Sequence, residues 1–208
     1  MDKWDERFSE GTYPTDPDPS PVLRAYVDTF PDGRALDVAA GTGRNAIFLA
    51  QHGYDVDALD QSAAGLEIVD ERAAAADISN RVQTVQADAT EYEYPMDAYD
   101  VVTLSFFRTL DRLGDIKAAL KPGGILFYQH HLQSSSPATV GPSTDRYRFQ
   151  SNELLRACLD MTVLYYEEST EERDDRTSAT ATIVARNSHG PTQSYPGRHW
   201  DRLTSEHE

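Results

Sequence analysis

The chain has 208 residues, enough for one α/β domain with short additions, and 35 Asp and Glu against 19 Lys and Arg give a formal net charge of -16. Nucleic-acid binding relies on clusters of Lys and Arg, so this charge argues against nucleic acid as a partner. No apolar run approaches the roughly 20 residues that span a bilayer, and the single Cys158 excludes an internal disulfide framework; we therefore expect a cytoplasmic protein with no membrane partner.

The choice of charged residues also predicts the salt concentration in which the protein works. Only Lys3, Lys117 and Lys121 are lysines, and arginine is the main cation. Few lysines beside many aspartates are typical of proteins from salt-accumulating halophiles, because a Debye length of about 3 Å at 1 M salt screens self-repulsion. The composition therefore predicts adaptation to high salt.

Residues 1–32 are interpreted as an N-terminal arm with a short helix that caps a site. The stretch 13–21 is rich in proline and cannot form regular helix or a central strand. Ser20-Pro21 fits an N-cap followed by a first-turn proline, which opens a short helix to about Phe30. Trp4, Phe8 and Tyr13 have two interpretations, as a cap over a bound cofactor or as anchors of the arm.

From residue 33 onward, predicted strands alternate with predicted helices. The strands cover 34–38, 55–60, 82–87, 99–104 and 125–130, and the helices cover 45–51, 62–76 and 112–120. This alternation predicts βαβ units and a mainly parallel sheet. A helix at 152–159 precedes strands at 161–167 and 179–186, which no helix separates, so they form an antiparallel pair. We assign 33–187 to one domain and 188–208 to a polar, mobile tail.

The segment 36–46 carries most of the chemical information. A strand runs into a turn containing Gly41 and Gly43, and the helix that follows offers free N–H groups to a ligand. In isolation, Gly41-x-Gly43-x-x-Ala46 also matches a dinucleotide fingerprint. Asp37 would repel a pyrophosphate, whereas it can hold the turn or contact an ammonium group. Asp60 ends the second strand, where a carboxylate can accept hydrogen bonds from both ribose hydroxyls.

Five motifs in chain order support a family resemblance. They are Asp37-Val38-x-x-Gly41-Thr42-Gly43, Asp60, Ala87-Asp88-Ala89, Tyr99-Asp100-Val101-Val102 and Leu120-Lys121-Pro122-Gly123-Gly124. Together they resemble the motifs of class I S-adenosylmethionine-dependent methyltransferases. The first motif, the ribose acid, the adenine position, the fourth-strand entry and the turn before the fifth strand correspond in that order. The start, Trp4-Asp5-Glu6-Arg7-Phe8, with Gly43-Arg44-Asn45, is similar to the small-molecule tellurite-resistance, thiol and thiopurine methyltransferases.

The resemblance implies an α/β, Rossmann-like, doubly wound fold with a mainly parallel seven-stranded sheet and an antiparallel C-terminal hairpin. It implies S-adenosylmethionine as the cofactor and a small-molecule acceptor, such as a thiol or a metalloid oxyanion, that is methylated by in-line displacement. The implied cofactor-binding residues are Asp37, Ala39, Gly41, Thr42, Gly43, Arg44, Asn45, Asp60, Gln61, Asp88, Ala89 and Ser105.

Several alternatives stay open from the sequence alone. Asp88 fits a local turn cap as well as an adenine contact, and Arg44 fits an ion pair on its helix. His130 and His131 follow the fifth strand, so at most one of them faces the site as a general base, and no catalytic residue is assigned. No Cys or His spacing predicts a metal site. An NAD-dependent oxidoreductase and a non-catalytic S-adenosylmethionine-binding protein are the rival functions, and the oligomeric state is not predicted.

Overall fold

A seven-stranded sheet forms the centre of the molecule. The computed structural model describes residues 3–134, 138–173 and 176–188. The strand order is β3-β2-β1-β4-β5-β7-β6. The strands are β1 Arg34–Val38, β2 Asp55–Asp60, β3 Val82–Gln86, β4 Tyr99–Ser105, β5 Leu120–His131, β6 Thr162–Arg173 and β7 Arg176–Arg186. β1 to β5 pair in parallel, and β7 runs antiparallel to both β5 and β6.

Helices cover both faces of this sheet. They are α1 Lys3–Ser9, α2 Pro21–Tyr26, α3 Arg44–Gln51, α4 Ala63–Ala75, α5 Leu113–Ala118 and α6 Glu153–Ala157. One apolar cluster joins α5 and α6 to sheet residues such as Leu126, and the other joins α2, α3 and α4 to sheet residues such as Phe127. Adjacent residues of β5 therefore enter opposite layers, as the pleat of a strand requires.

The predicted α/β, Rossmann-like, doubly wound fold with its antiparallel C-terminal hairpin is confirmed. The chain builds β1, β2 and β3 outward in one direction and then returns to place β4 on the other side of β1. Open α/β sheets bind ligands outside the carboxyl ends of their strands at such a switch point. The fold thus places the ends of β1, β2 and β4 around one crevice.

The C-terminal hairpin and β5 are longer than the sequence predicts. Residues 168–177 were expected to be a polar connector, but Ser169 pairs with Thr180 and Glu171 pairs with Ser178. Backbone pairing needs no apolar side chain, so the apolar pattern underestimates both arms. β5 begins at Leu120, whereas the prediction begins at 125. The helices predicted at 112–120 and 152–159 are shorter, at Leu113–Ala118 and Glu153–Ala157.

The N-terminal segment contains a helix that the sequence did not predict. α1 precedes the extended stretch, and α2 continues into a 3₁₀ turn at Val27–Thr29. Ser20 occupies the N-cap position of α2 but makes no capping hydrogen bond through its side chain. The division into an arm, a domain at 33–187 and a tail stays a prediction, and 189–208 of that tail lie outside the described residues.

No helix in the described ranges is both long and apolar enough to cross a bilayer. Within the same ranges, no three His, Cys, Asp or Glu side chains gather in a way that could hold a metal ion.

Candidate functional site

The glycine turn after β1 has a backbone that few residue types adopt. Gly41 and Gly43 have φ of 55° and 80°, in the left-handed region that favours glycine. A Cβ at Gly43 would lie 3.0 Å from Cγ2 of Val69 in α4, so the residue also lets the turn pack tightly. Ala39 has φ of 56° as well, which is uncommon for a residue with a side chain. The turn therefore stores strain beside the predicted cofactor site.

Asp37 fastens this turn to the core from inside the sheet. Its carboxylate accepts hydrogen bonds from Thr103 Oγ1 at 2.7 Å, Asn45 Nδ2 at 3.2 Å and Ala46 N at 3.0 Å. The side chain is buried, and this burial raises the pKa of Asp37 to about 6 although all three hydrogen bonds favour the charged form. The contacts fulfil the turn-holding role expected of Asp37, and a contact with a bound ammonium group stays a prediction.

Asp60 connects the end of β2 to the same turn. Its Oδ2 accepts a hydrogen bond from Gly41 N at 2.8 Å, and its Oδ1 accepts one from Ser62 N at 2.8 Å. Both carboxylate oxygens thus accept backbone N–H groups, one from the glycine turn and one from the N-cap residue of α4. Asp60 is 7% exposed. The geometry holds one carboxylate rigidly at the mouth of the crevice.

Asn45 and Ser105 link the turn to the end of β4. Asn45 Nδ2 donates to Ser105 Oγ at 3.1 Å as well as to Asp37. Asn45 Oδ1 is buried and has no hydrogen-bond partner among the described residues. A buried acceptor without a donor is costly, which makes this oxygen a candidate contact for a ligand.

Three further predicted residues lie at the ends of β2 and β3. Ala87 N donates to the Asp60 carbonyl at 3.0 Å, which brings the segment after β3 to the same sheet edge. Asp88 accepts from Thr90 N at 2.8 Å, and hydrogen bonds from Thr90 lower the pKa of Asp88. These contacts fit the turn-cap alternative without excluding a ligand contact. The Gln61 carbonyl accepts from Gln86 Nε2 at 3.3 Å, and the Ala89 carbonyl accepts from the Tyr94 hydroxyl at 2.8 Å.

The N-terminal arm covers the glycine turn. Phe8 is buried and lies against Gly41, where a Cβ would meet its ring at 3.4 Å. Trp4 and Tyr13 pack around Phe8 with ring centroids 5.6 to 6.0 Å apart and stay partly exposed. Thr42 Oγ1 donates to the carbonyl of Pro14 at 3.1 Å. The three aromatic residues thus form one cluster on the turn.

Two residues in this contact were missed from the sequence. Asp5 Oδ1 accepts from Ser62 Oγ at 2.6 Å and from Ala64 N at 3.3 Å, so the arm caps the first turn of α4. A Cβ at Gly65 would lie 2.9 Å from the Gly41 carbonyl oxygen. Both roles depend on an approach between distant segments. The motif Trp4-Asp5-Glu6-Arg7-Phe8 points to the arm but not to these contacts.

The carboxyl ends of β4 and β5 carry the remaining candidates. The His131 ring is 4.7 Å from the Phe106 ring, and the Arg44 guanidinium lies 5.2 Å from the Phe106 centroid. His130 enters the opposite layer, where its Nε2 is 2.7 Å from the Tyr147 carbonyl. Burial is the main cause that lowers the pKa of His130 to about 4 and that of His131 to about 3, so both rings are neutral at pH 7.

Several comparisons with known proteins indicate a methyltransferase domain. Residues 35–124 match the family described as a methyltransferase domain. A demethylmenaquinone methyltransferase of Clavibacter sepedonicus is 41% identical over 96 residues, which cover 44% of this chain and 38% of that protein. A ubiquinone/menaquinone biosynthesis C-methyltransferase of Cereibacter sphaeroides is 32% identical over 126 residues, covering 57% of this chain and 50% of that protein.

A solved structure gives the same fold. TehB from Haemophilus influenzae aligns with a TM-score of 0.67 at 23% identity, over 80% of this chain and 61% of that chain. The chain spans half or less of the length of these two curated relatives. The matched stretch contains every predicted cofactor-binding residue, whereas the arm and the C-terminal hairpin lie outside it.

Proposed function

We propose that this chain carries a class I methyltransferase domain and transfers a methyl group from S-adenosylmethionine to a small-molecule acceptor by in-line displacement. The observation that supports this most directly is the pair of hydrogen bonds that fixes Asp60 to Gly41 N and Ser62 N. They hold beside the glycine turn, at the switch point of the sheet, the carboxylate that would bind the ribose.

The residues of the crevice fit this cofactor. Asp60 would accept hydrogen bonds from the two ribose hydroxyls, because each oxygen of a carboxylate can accept more than one donor. The orphaned Asn45 Oδ1 offers an acceptor to the ammonium group, and the strained turn lets the backbone come close to it. Asp88 and Ala89, after β3, would contact the adenine. The set of polar groups matches an amino-acid and nucleoside ligand better than a pyrophosphate, because Asp37 would repel phosphate.

The cofactor supplies a sulfonium whose methyl group is already activated, so the chain needs mainly to bind, align and exclude water. Alignment alone can lower a barrier by about 7 to 11 kcal/mol. The aromatic cluster of the arm would exclude water from the glycine turn, since Phe8 is buried against Gly41. A dedicated general base is not required for this reaction, and the lowered pKa values of His130 and His131 disfavour them in that role at neutral pH.

A small molecule is the class of acceptor that the molecule favours. The net charge of -16 disfavours a polyanion such as nucleic acid. The curated relatives include enzymes named for the methylation of quinones and of 27-O-demethylrifamycin SV. These acceptors are small molecules. Within this class we propose a thiol, a metalloid oxyanion or a similar nucleophile, and we place the reaction in the cytoplasm.

Calorimetry and product analysis test this proposal together. S-adenosylmethionine and S-adenosylhomocysteine should bind, and NAD should not bind with comparable affinity. Incubation with S-adenosylmethionine and a panel of thiols, metalloid oxyanions, phenols and amines should release S-adenosylhomocysteine. Tight NAD binding without a response to either adenosyl ligand would favour an oxidoreductase. Binding of the adenosyl ligands without turnover across the panel would favour a non-catalytic binding protein.

A further inference from the structure

A cation and two rings meet at the carboxyl ends of β4 and β5, in what we call the Arg44–Phe106–His131 cluster. Phe106 has φ of 61°, an uncommon backbone for an aromatic residue, and its ring stays 37% exposed. The Arg44 guanidinium and the His131 ring lie 5.2 Å and 4.7 Å from this ring, centre to centre. Strain at Phe106 thus coincides with a partly open surface beside the glycine turn.

A strap formed by residues 138–148 fixes the His131 side of this cluster. Gly141 has φ of 100°, and a Cβ there would lie 2.7 Å from Cγ of His131, so only glycine lets the strap pack on the imidazole. Arg148 is 7% exposed and donates to the carbonyls of Val140 at 3.1 Å and Pro142 at 2.8 Å. The guanidinium therefore holds the strap in place over His131.

Within the described residues, neither Arg44 nor Arg148 forms a salt bridge, although the chain is strongly acidic. Asp37 and Asp18 act on Arg44 only at longer range, and the Arg148 guanidinium is hydrogen-bonded to backbone carbonyls. Buried cations are costly unless they are paired or hydrogen-bonded. His131 Nδ1 is also buried without a partner in the described parts of the chain. The site therefore carries positive charge and unsatisfied polar capacity where the acceptor would enter.

We propose that the methyl acceptor binds the Arg44–Phe106–His131 cluster as an anion, with Arg44 and His131 against the charged atom and Phe106 as the adjacent wall. This inference rests on the proposed methyl transfer and narrows its acceptor to groups such as thiolates, phenolates and enolates. An acidic S–H or O–H releases its proton to water on binding. The acceptor's electron pair forms the new bond to carbon, and the pair of the broken sulfur–carbon bond stays on sulfur, so a cation and an anion become two neutral products.

His131 contributes as a neutral hydrogen-bonding group. Burial is the largest cause that lowers the pKa of His131 to about 3, and His130, Arg148 and Arg44 lower it further through their charges. A neutral ring can hydrogen-bond to the bound acceptor, and the positive charge that balances the anion comes from Arg44. The cations instead lower the pKa of a bound acidic acceptor, because an adjacent positive charge favours the anion.

4-Nitrophenol tests the cluster directly, since its ionised form absorbs at longer wavelength than its neutral form. The full chain is saturated with S-adenosylhomocysteine, and the probe is titrated at a pH where it is mainly neutral in water. We expect saturable binding with conversion of the bound probe to the phenolate. Arg44→Gln should weaken this binding about 10- to 150-fold, the range for a lost hydrogen bond to a charged group, and Arg44→Lys should fall between Arg44→Gln and the unchanged chain.

The matched control is Arg24→Gln, which removes the same charge from an exposed position of α2 and should leave probe binding unchanged. Melting curves confirm that each variant is folded. Absence of saturable binding, a bound probe that stays neutral, or equal losses in Arg44→Gln and Arg24→Gln would overturn the inference. Arg44→Gln that weakens S-adenosylhomocysteine but not the probe would also overturn it, because Arg44 would then belong to the cofactor site. Failure of S-adenosylhomocysteine itself to bind would refute the proposed function instead.

Discussion

Replacing Asp60 with Asn should weaken cofactor binding and destabilise the free protein at the same time. The Asn side chain has one acceptor oxygen, while Asp60 now accepts from Gly41 N and Ser62 N with separate oxygens. Ser62 is fully buried, so we expect the oxygen to stay on its N–H and the new NH₂ group to face Gly41 N. Two donors would then oppose each other at the glycine turn.

The magnitude follows from these two losses. A buried donor left without its partner costs about 1 to 3 kcal/mol, and a domain of this size loses roughly 2 to 4 °C of melting temperature per kcal/mol. The melting temperature without ligand should therefore fall by about 2 to 12 °C. Loss of a charged acceptor for the ribose hydroxyls costs about 1.5 to 3 kcal/mol of binding free energy, which lowers the affinity for the cofactor roughly 10- to 150-fold.

Calorimetry with S-adenosylhomocysteine and thermal melts without ligand measure the two effects separately. Asp55→Asn is the matched control, because Asp55 begins the same strand, has a side chain that is 69% exposed and forms an ion pair with Arg81 on the surface. Such exposed pairs contribute about 0 to 1 kcal/mol, and no change in cofactor affinity is expected. If Asp60→Asn melted and bound like the unchanged chain, Asp60 would neither hold the turn nor bind the ribose.

Four further predictions concern packing, the arm, pH and salt. Gly65→Ala places a Cβ 2.9 Å from the Gly41 carbonyl oxygen and 3.2 Å from Phe8, so calorimetry should show weaker cofactor binding and melts a loss of about 1 to 3 kcal/mol; unchanged values would contradict the packing argument. Deleting residues 1–19 should reduce turnover more than melting temperature, and outright unfolding would make the arm structural. Because the pKa of His130 is lowered to about 4, its contribution to the free energy of unfolding is complete above the usual histidine pKa and is lost as pH falls towards about 4. In melts at decreasing pH, His130→Gln should therefore lose less melting temperature over this range than the unchanged chain does. An equal loss in both proteins would contradict this prediction. KCl from about 0.1 M to above 1 M should raise the melting temperature through screening and apolar burial, whereas guanidinium chloride should raise it only over the first few tenths molar; a flat or falling curve in KCl would contradict salt adaptation.

The sheet was predictable because its strands are short apolar runs separated by glycine and polar turns. β1 and β2 begin and end where the sequence predicts them. The alternation with helices predicts the parallel pairing, whereas the doubly wound strand order was implied by the family resemblance. The polar half of the hairpin was not predictable from side-chain pattern, since Glu171 and Ser178 pair through their backbones. α1 was missed because seven residues give too few turns for a periodic pattern.

The candidate site also contains residues that could be predicted from the sequence and residues that could not. Asp37, Gly41 and Asp60 stand out because their chemistry is local to a strand end or a turn. Asp5 and Gly65 do not stand out, because each acts only where the arm or α4 meets the glycine turn. No pattern along the chain records that approach.

The two carboxylates of the crevice show what the surroundings add to residue type. Both are aspartates at the ends of neighbouring strands, and both accept backbone N–H groups. Asp37 is enclosed by Thr103, Asn45 and Ala46, and its raised pKa shows that burial outweighs those donors. Asp60 is held at the mouth of the crevice by the N–H groups of Gly41 and Ser62. One acid is therefore suited to fix the turn and the other to bind the ligand, so exchanging Asp60 should change affinity most, whereas exchanging Asp37 should first change the turn itself.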